Sequence, residues 1–164
     1  MTTAEAAGLD ELADAAAVRR ADPGFLPTTD NDRDEDEAIA RAAVGLALRR
    51  HAGRSRVVVS PEGRVVERTG TDLREVGLLV GSGGVLRHAP PEAAERVLAV
   101  STGADLPGGW LLPRSPRLVV DRAYVLVAAG LLASDHADVA GALLTRHLGD
   151  PGGHTSPGEG RMRA

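Results

Sequence analysis

The order of elements between Val76 and Ala133 constrains this chain more than any other feature. The apolar run Val76 to Val80 predicts a strand, which ends in a turn holding Gly81, Gly83 and Gly84 and feeding a short helix. Pro90-Pro91 starts a second predicted helix, with Glu92 in its first turn and Ala94, Val97 and Leu98 on its inner face, ending near Gly103. Arg117 to Val120 then reads as a buried strand, and Arg122 to Ala133 as a helix with Asp121 as N-cap and Ala123, Leu126, Val127, Gly130 and Leu131 inward. Two strands joined by a helical crossover run parallel, so the fold class expected is α/β, built on a βαβα unit. In open sheets of that class a ligand sits beyond the carboxyl ends of the strands. Gly81 to Gly84 and the strand end at Asp121 therefore meet at one edge. Glycines there let the backbone approach a flat ligand and offer N–H groups to an anion, the expectation of a nucleotide site; an ordinary strand-to-helix connection is the alternative.

The flanks are mostly helical. Residues 5 to 20 read as a helix with Leu9, Leu12, Ala13, Ala16 and Ala17 on one side, and the turn Phe25-Leu26-Pro27 is expected to pack on a neighbour. Asp30 to Glu37 holds six acids and one arginine, read as a solvated helix start rather than a metal loop, with Asp34 and Glu37 spaced as a capping box. The helix it opens, Glu35 to His51, carries the stripe Ile39, Ala42, Ala43, Leu46 and Ala47, and Gly53 stops it. Arg56 to Ser60 and Arg64 to Arg68 predict a β-hairpin around Pro61-Glu62-Gly63, and Gly70 to Leu73 a further turn. A last helix, Asp135 to Leu148, is expected to bury Val139, Ala140, Leu143, Leu144 and His147, while the tail after Gly149 has too little apolar surface to order itself.

Composition removes several chemistries. The 164 residues suffice for one domain with a core, and Phe25, Trp110 and Tyr124 are the only aromatics, which excludes a stacking platform for nucleic acid. All 19 basic residues are arginine, so there is no phosphate-loop lysine and no Schiff base; without cysteine there is no thiolate site. The net charge of −4 argues against a polyanionic partner. No apolar run has the length of a membrane span and the N-terminus is acidic where a signal peptide is basic, so the expectation is a cytoplasmic chain with no nucleic acid and no membrane.

Four segments, RRHAG (49 to 53), DLREVGLLVGSGGVLRHAP (72 to 90), LLP (111 to 113) and VVDRAYVLVAAGLLA (119 to 133), resemble the C-terminal part of the accessory protein family of adenosylcobalamin-dependent glutamate (methylaspartate) mutase. That family belongs to the actin, Hsp70 and sugar-kinase ATPase superfamily, and the likeness spans roughly residues 34 to 148. It implies a partial actin-like, ribonuclease-H-like ATPase domain over 34–148, preceded by a helix and linker at 1–33 and followed by a tail at 149–164. It also implies that Gly81, Ser82, Gly83 and Gly84 form the adenosine-binding loop for ATP or ADP, with Arg87 over the adenine face, at the ribose, or facing solvent. His88 reads as a packed or capping residue rather than a base. The family's acid-and-glycine phosphate motifs are absent, so magnesium is expected only together with them and this chain alone should not hydrolyse ATP. The resemblance thus points to a truncated ATP-binding reactivating factor whose partners are mutase subunits. The alternatives are a non-catalytic interaction module that has lost nucleotide binding, or a fragment of a small-molecule kinase. An exposed sheet edge or apolar face is expected on the isolated chain.

Overall fold

The computed structural model describes residues 3–61, 63–104 and 107–149, so most of the expected tail, from residue 150 onward, and the side chain of Leu9 lie outside the described residues. Two compact units are present, one ending at Arg122 and one starting at Ala123.

The first unit opens with α1 (Thr3–Ala21) and α2 (Asp30–His51). Arg19 joins them: its Nε donates to Asp36 at 2.9 Å, Nη2 to the Asp32 carbonyl at 3.0 Å, and Nη1 to Glu35. Its guanidinium also lies 4.3 Å from the Phe25 ring centroid. Phe25 packs as expected, but Leu26 is 77% exposed, and α1 buries Ala15 while Ala13 and Ala17 face solvent.

Helix α2 begins five residues before the Glu35 expected, because the capping box is made by Thr29 and Asp32 rather than Asp34 and Glu37. The Thr29 hydroxyl accepts from the Asp32 N–H at 3.1 Å, and the Asp32 carboxylate accepts the N–H groups of Thr29 and Thr28, each at 2.9 Å. The Thr29 and Thr28 N–H groups, with the threonine hydroxyls, draw the Asp32 carboxyl down to about 2. Its contribution is therefore complete above the unfolded value of about 4 and disappears as the pH falls toward 2. Glu37, held below the usual carboxylate range by its hydrogen bond from Arg96, acts in the same direction. Thermal melts of the wild type should lose stability between about pH 4 and pH 2, and Asp32→Asn should lose less. Equal losses in both would remove this cap from the account.

The buried face of α2 is not the stripe expected. Ala42, Ala43 and Ala47 are exposed and Leu46 is 51% exposed, while Ala40 and Val44 pack on the core and Gly45 is buried. Helix α4 (Pro91–Ala99) sets that face: Arg96 grips Glu37 through two hydrogen bonds of 2.8 and 2.6 Å, which brings α4 over the line Glu37, Ala40, Val44. In so alanine-rich a helix, apolar spacing alone does not mark which side has a neighbour.

Two strands follow as a hairpin, β1 (Arg54–Ser60) and β2 (Gly63–Thr69), antiparallel from Arg54 opposite Thr69 to Ser60 opposite Gly63. Strand β3 (Leu78–Gly81) pairs in parallel with β4 (Arg117–Val120), and between them come α3 (Gly84–His88) and α4. The core lies here: Leu86, Ala94, Val97 and Leu98 are buried, with Ala40, Val44, Leu79, Leu118 and Val120 packed around them.

The expectation of a partial actin-like ATPase domain is corrected at the level of the sheet. Among the described residues the hairpin and the parallel pair are separate two-stranded sheets, with no strand pairing between them. The physical reason lies at β1, whose free side is taken by the irregular segment around Trp110 instead of by a strand: Ser55 donates to the Gly109 carbonyl at 2.7 Å, and Arg54 bridges Trp110.

The second unit contains α5 (Val125–Leu132) and α6 (Ala137–Leu148), packed on each other. The N-cap position of α5 is Tyr124, in the left-handed region at φ 54°, rather than Asp121; Asp121 is buried and extends the parallel pair, donating its N–H to the Gly81 carbonyl at 2.8 Å. The inward face of α5 carries Val125 and Ala129, whereas Leu126, Val127 and Leu131 are exposed. A helix reading VLVAAGLL has no polar side from which to orient it. In α6, Ala140 and Leu148 are buried, Leu143 and Leu144 half-buried, and Val139 and His147 exposed. Among the described residues no helix is long and apolar enough to cross a membrane.

Candidate functional site

A cleft of about 470 Å³ opens where α2 ends and the hairpin begins. Arg49 and Arg50 reach it from the last turn of α2, where the helix dipole favours cations. Gly53 then turns the chain into β1, donating its N–H to the Thr71 carbonyl at 2.6 Å and accepting from Leu111 at 2.9 Å. The register does the rest. Arg54 faces Thr69 and Arg56 faces Glu67 across the hairpin, and the two-residue alternation of a strand puts all four side chains on one face, toward the cleft.

Trp110 closes one wall. The loop carrying it turns through Gly108 and Gly109 at φ 91° and 67°, and a side chain at Gly109 would strike the Ser55 carbonyl oxygen. The Arg54 guanidinium stacks 4.0 Å from the Trp110 ring centroid. In that position its Nε is buried and, among the described residues, has no hydrogen-bond partner. An unpartnered buried donor costs about 1–3 kcal/mol, and more when charged, against about 0.5–2 kcal/mol recovered from a cation–π contact. The lining carries four arginines and one acid, Glu67, so it is short of negative charge. The arrangement can hold an anionic group by charge-assisted hydrogen bonds.

The residues singled out from the sequence lie elsewhere. Gly81 ends β3 and is buried, Ser82 is exposed, Gly83 has φ 126°, and Gly84 opens α3 with free space where a side chain would stand. Gly81 and Asp121 do meet at one strand end, joined by the hydrogen bond given above. Arg87 is half-buried in α3, and its carbonyl accepts from Arg122 Nη1 at 2.6 Å while the Ala89 carbonyl accepts from Nη2 at 3.2 Å. The space that Gly81 leaves is filled: a Cβ there would lie 2.7 Å from Leu86 Cδ1 and from Leu98 Cδ2. None of these residues lines the cleft. Among the described residues no group of three or more His, Cys, Asp or Glu is placed to hold a metal ion.

The cleft itself had a partial signature in RRHAGRSR, residues 49 to 56, where two arginines at a helix end precede two more at strand spacing. Trp110 comes from a distant loop, and nothing local announces its arrival.

The profile described as MutL protein matches residues 2–148. The chain belongs to the MutL protein family. A curated MutL relative, "Protein MutL" of Clostridium tetanomorphum, is 32% identical over 124 residues, covering 76% of this chain and 26% of that protein. The chain thus spans about a quarter of the length of the MutL relative it matches. No solved structure matches it.

The family expectation is corrected to this description. Neither the MutL family description nor the relative's name mentions a glutamate mutase, adenosylcobalamin or ATP. The reading as a reactivating factor, its mutase-subunit and adenine-nucleotide partners and its kinase alternative are set aside with it, and no solved structure stands behind the actin-like assignment.

Proposed function

We propose that this chain is an anion-recognition portion of a MutL-family protein, binding a phosphate or carboxylate group of a larger partner in the arginine cleft. The observation that carries the reading is the buried, unpartnered Nε of Arg54, held against Trp110 in a lining of four arginines and one glutamate. An anion there completes the hydrogen bonding of Arg54 and neutralises part of the repulsion among Arg49, Arg50, Arg54 and Arg56. The role is binding rather than catalysis: Thr69 is the one hydroxyl on the lining and no histidine lies there to activate it. A cysteine-free chain with no described helix able to cross a membrane fits a cytoplasmic setting.

Trp110 is the single tryptophan, so its fluorescence reports on the cleft directly. Titration with inorganic phosphate at low ionic strength should give a saturable change that weakens with added sodium chloride. Arg54→Gln should weaken it about tenfold or more, the loss of one charged hydrogen bond, whereas Arg33→Gln, on exposed α2 surface, should not. A flat titration in the wild type, or equal affinity in Arg54→Gln, would overturn the proposal.

A further inference from the structure

The hairpin leaves one edge and one face without cover. Strand β1 has β2 on one side and the Trp110 segment on the other, whereas among the described residues no strand or loop pairs with the outer edge of β2. Ser55 establishes which groups point outward. Its N–H leaves the hairpin for the Gly109 carbonyl, so its cross-strand partner Arg68 belongs to the pairs whose backbone groups face away from the neighbouring strand. Two-residue alternation extends this to Val66 and Arg64, whose side chains also share one face of the sheet with Arg68. That face is bare: Val66 is 55% exposed, and Val57 and Val59 beside it are 56% and 76% exposed.

We propose that the outer edge of β2 binds an extended acidic segment of a partner protein, which adds as a further strand with carboxylates beside Arg64 and Arg68 and an apolar side chain on Val66. The backbone supplies hydrogen bonds and the alternation of charge and valine supplies selectivity. Residues 54 to 69 carry four arginines and two glutamates in a chain of net charge −4, so this edge selects acid against the rest of the surface. A second copy of the chain is a poor occupant: antiparallel pairing of β2 with itself about Val66 sets Arg64 against Arg68, and like charges opposite one another destabilise a strand pair. This proposal does not depend on the anion cleft.

The test is a fluorescence-anisotropy titration with a labelled peptide Thr-Glu-Thr-Val-Thr-Glu-Thr, alongside a version with lysine for glutamate and a permuted version with the two glutamates adjacent. The acidic alternating peptide should bind, and both controls should bind at least about tenfold more weakly. Hydrogen exchange at the amides of Arg64, Val66 and Arg68 should slow with the acidic peptide present. In the double variant R64E/R68E the preference should invert toward the lysine peptide, with the far-ultraviolet circular dichroism unchanged. If that variant does not fold, the three peptides on the wild type decide. Equal binding of the permuted peptide, unchanged amide exchange, or a concentration-dependent dimer that already protects these amides would overturn the proposal.

Discussion

Gly53→Ala is expected to lower stability by about 3 kcal/mol or more, moving the melting midpoint down by on the order of 10 °C. Gly53 is buried where α2 hands over to β1, and a Cβ on it would collide with the Thr69 carbonyl oxygen and lie 2.7 Å from the Gly70 carbonyl carbon. Both obstacles are backbone, and Gly70 cannot retreat freely. It sits at φ 81°, and a Cβ of its own would come within 2.8 Å of Gly53 Cα, so the two glycines form a reciprocal close approach. Gly53 also donates to Thr71 and accepts from Leu111, so forcing it outward breaks the hydrogen bonds that dock the Trp110 segment. Trp110 fluorescence should therefore change together with the midpoint. Gly77→Ala, where a Cβ meets nothing within 4 Å, is the control. A Gly53→Ala midpoint equal to that of Gly77→Ala would show that the crossing has slack the geometry does not display.

The second large effect is expected at Gly81, and it separates packing from ligand binding at the glycine turn. Gly81→Ala drives a methyl group into the terminal methyls of Leu86 and Leu98, which are only 6% and 3% exposed and must shift within the core to admit it. Overpacking of this kind costs about 1–3 kcal/mol. Gly84→Ala, in open space at the first residue of α3, should be neutral or stabilising by up to about 1 kcal/mol, because alanine restricts the unfolded chain and suits a helix better. Chemical denaturation of the two variants gives the answer. Should Gly84→Ala be the damaging one, the account of Gly81 as a packing glycine fails.

Parts of this architecture are legible one residue at a time. The valine-rich runs on either side of the Pro61-Glu62-Gly63 turn signal mark the hairpin, and Arg117 to Val120 is a strand over the residues expected. Ala94, Val97 and Leu98 mark the inner face of α4 because Glu92 and Arg96 occupy its other sides. On α2 and α5 apolar residues ring the helix, and only a neighbour determines which side is inside. Threonine at 29 and aspartate at 34 are both acceptable caps with a carboxylate three residues on, but Glu37 is held by Arg96 while Asp32 accepts the N–H groups of Thr28 and Thr29. The resemblance of the four segments between residues 49 and 133 to the mutase accessory family is corrected by the MutL family description, which covers residues 2–148.

The sequence by itself therefore determined which segments become helix, strand or turn, since that choice depends on neighbours within a few residues. It also determined the excess of arginine near the α2–β1 junction and the absence of lysine and cysteine chemistry. Only the tertiary structure decided that Gly81 serves the core, that Trp110 folds back onto Arg54, and that β2 keeps an open edge. Each of those depends on segments far apart in the chain, and a contact between distant residues is settled by which surfaces fill space together.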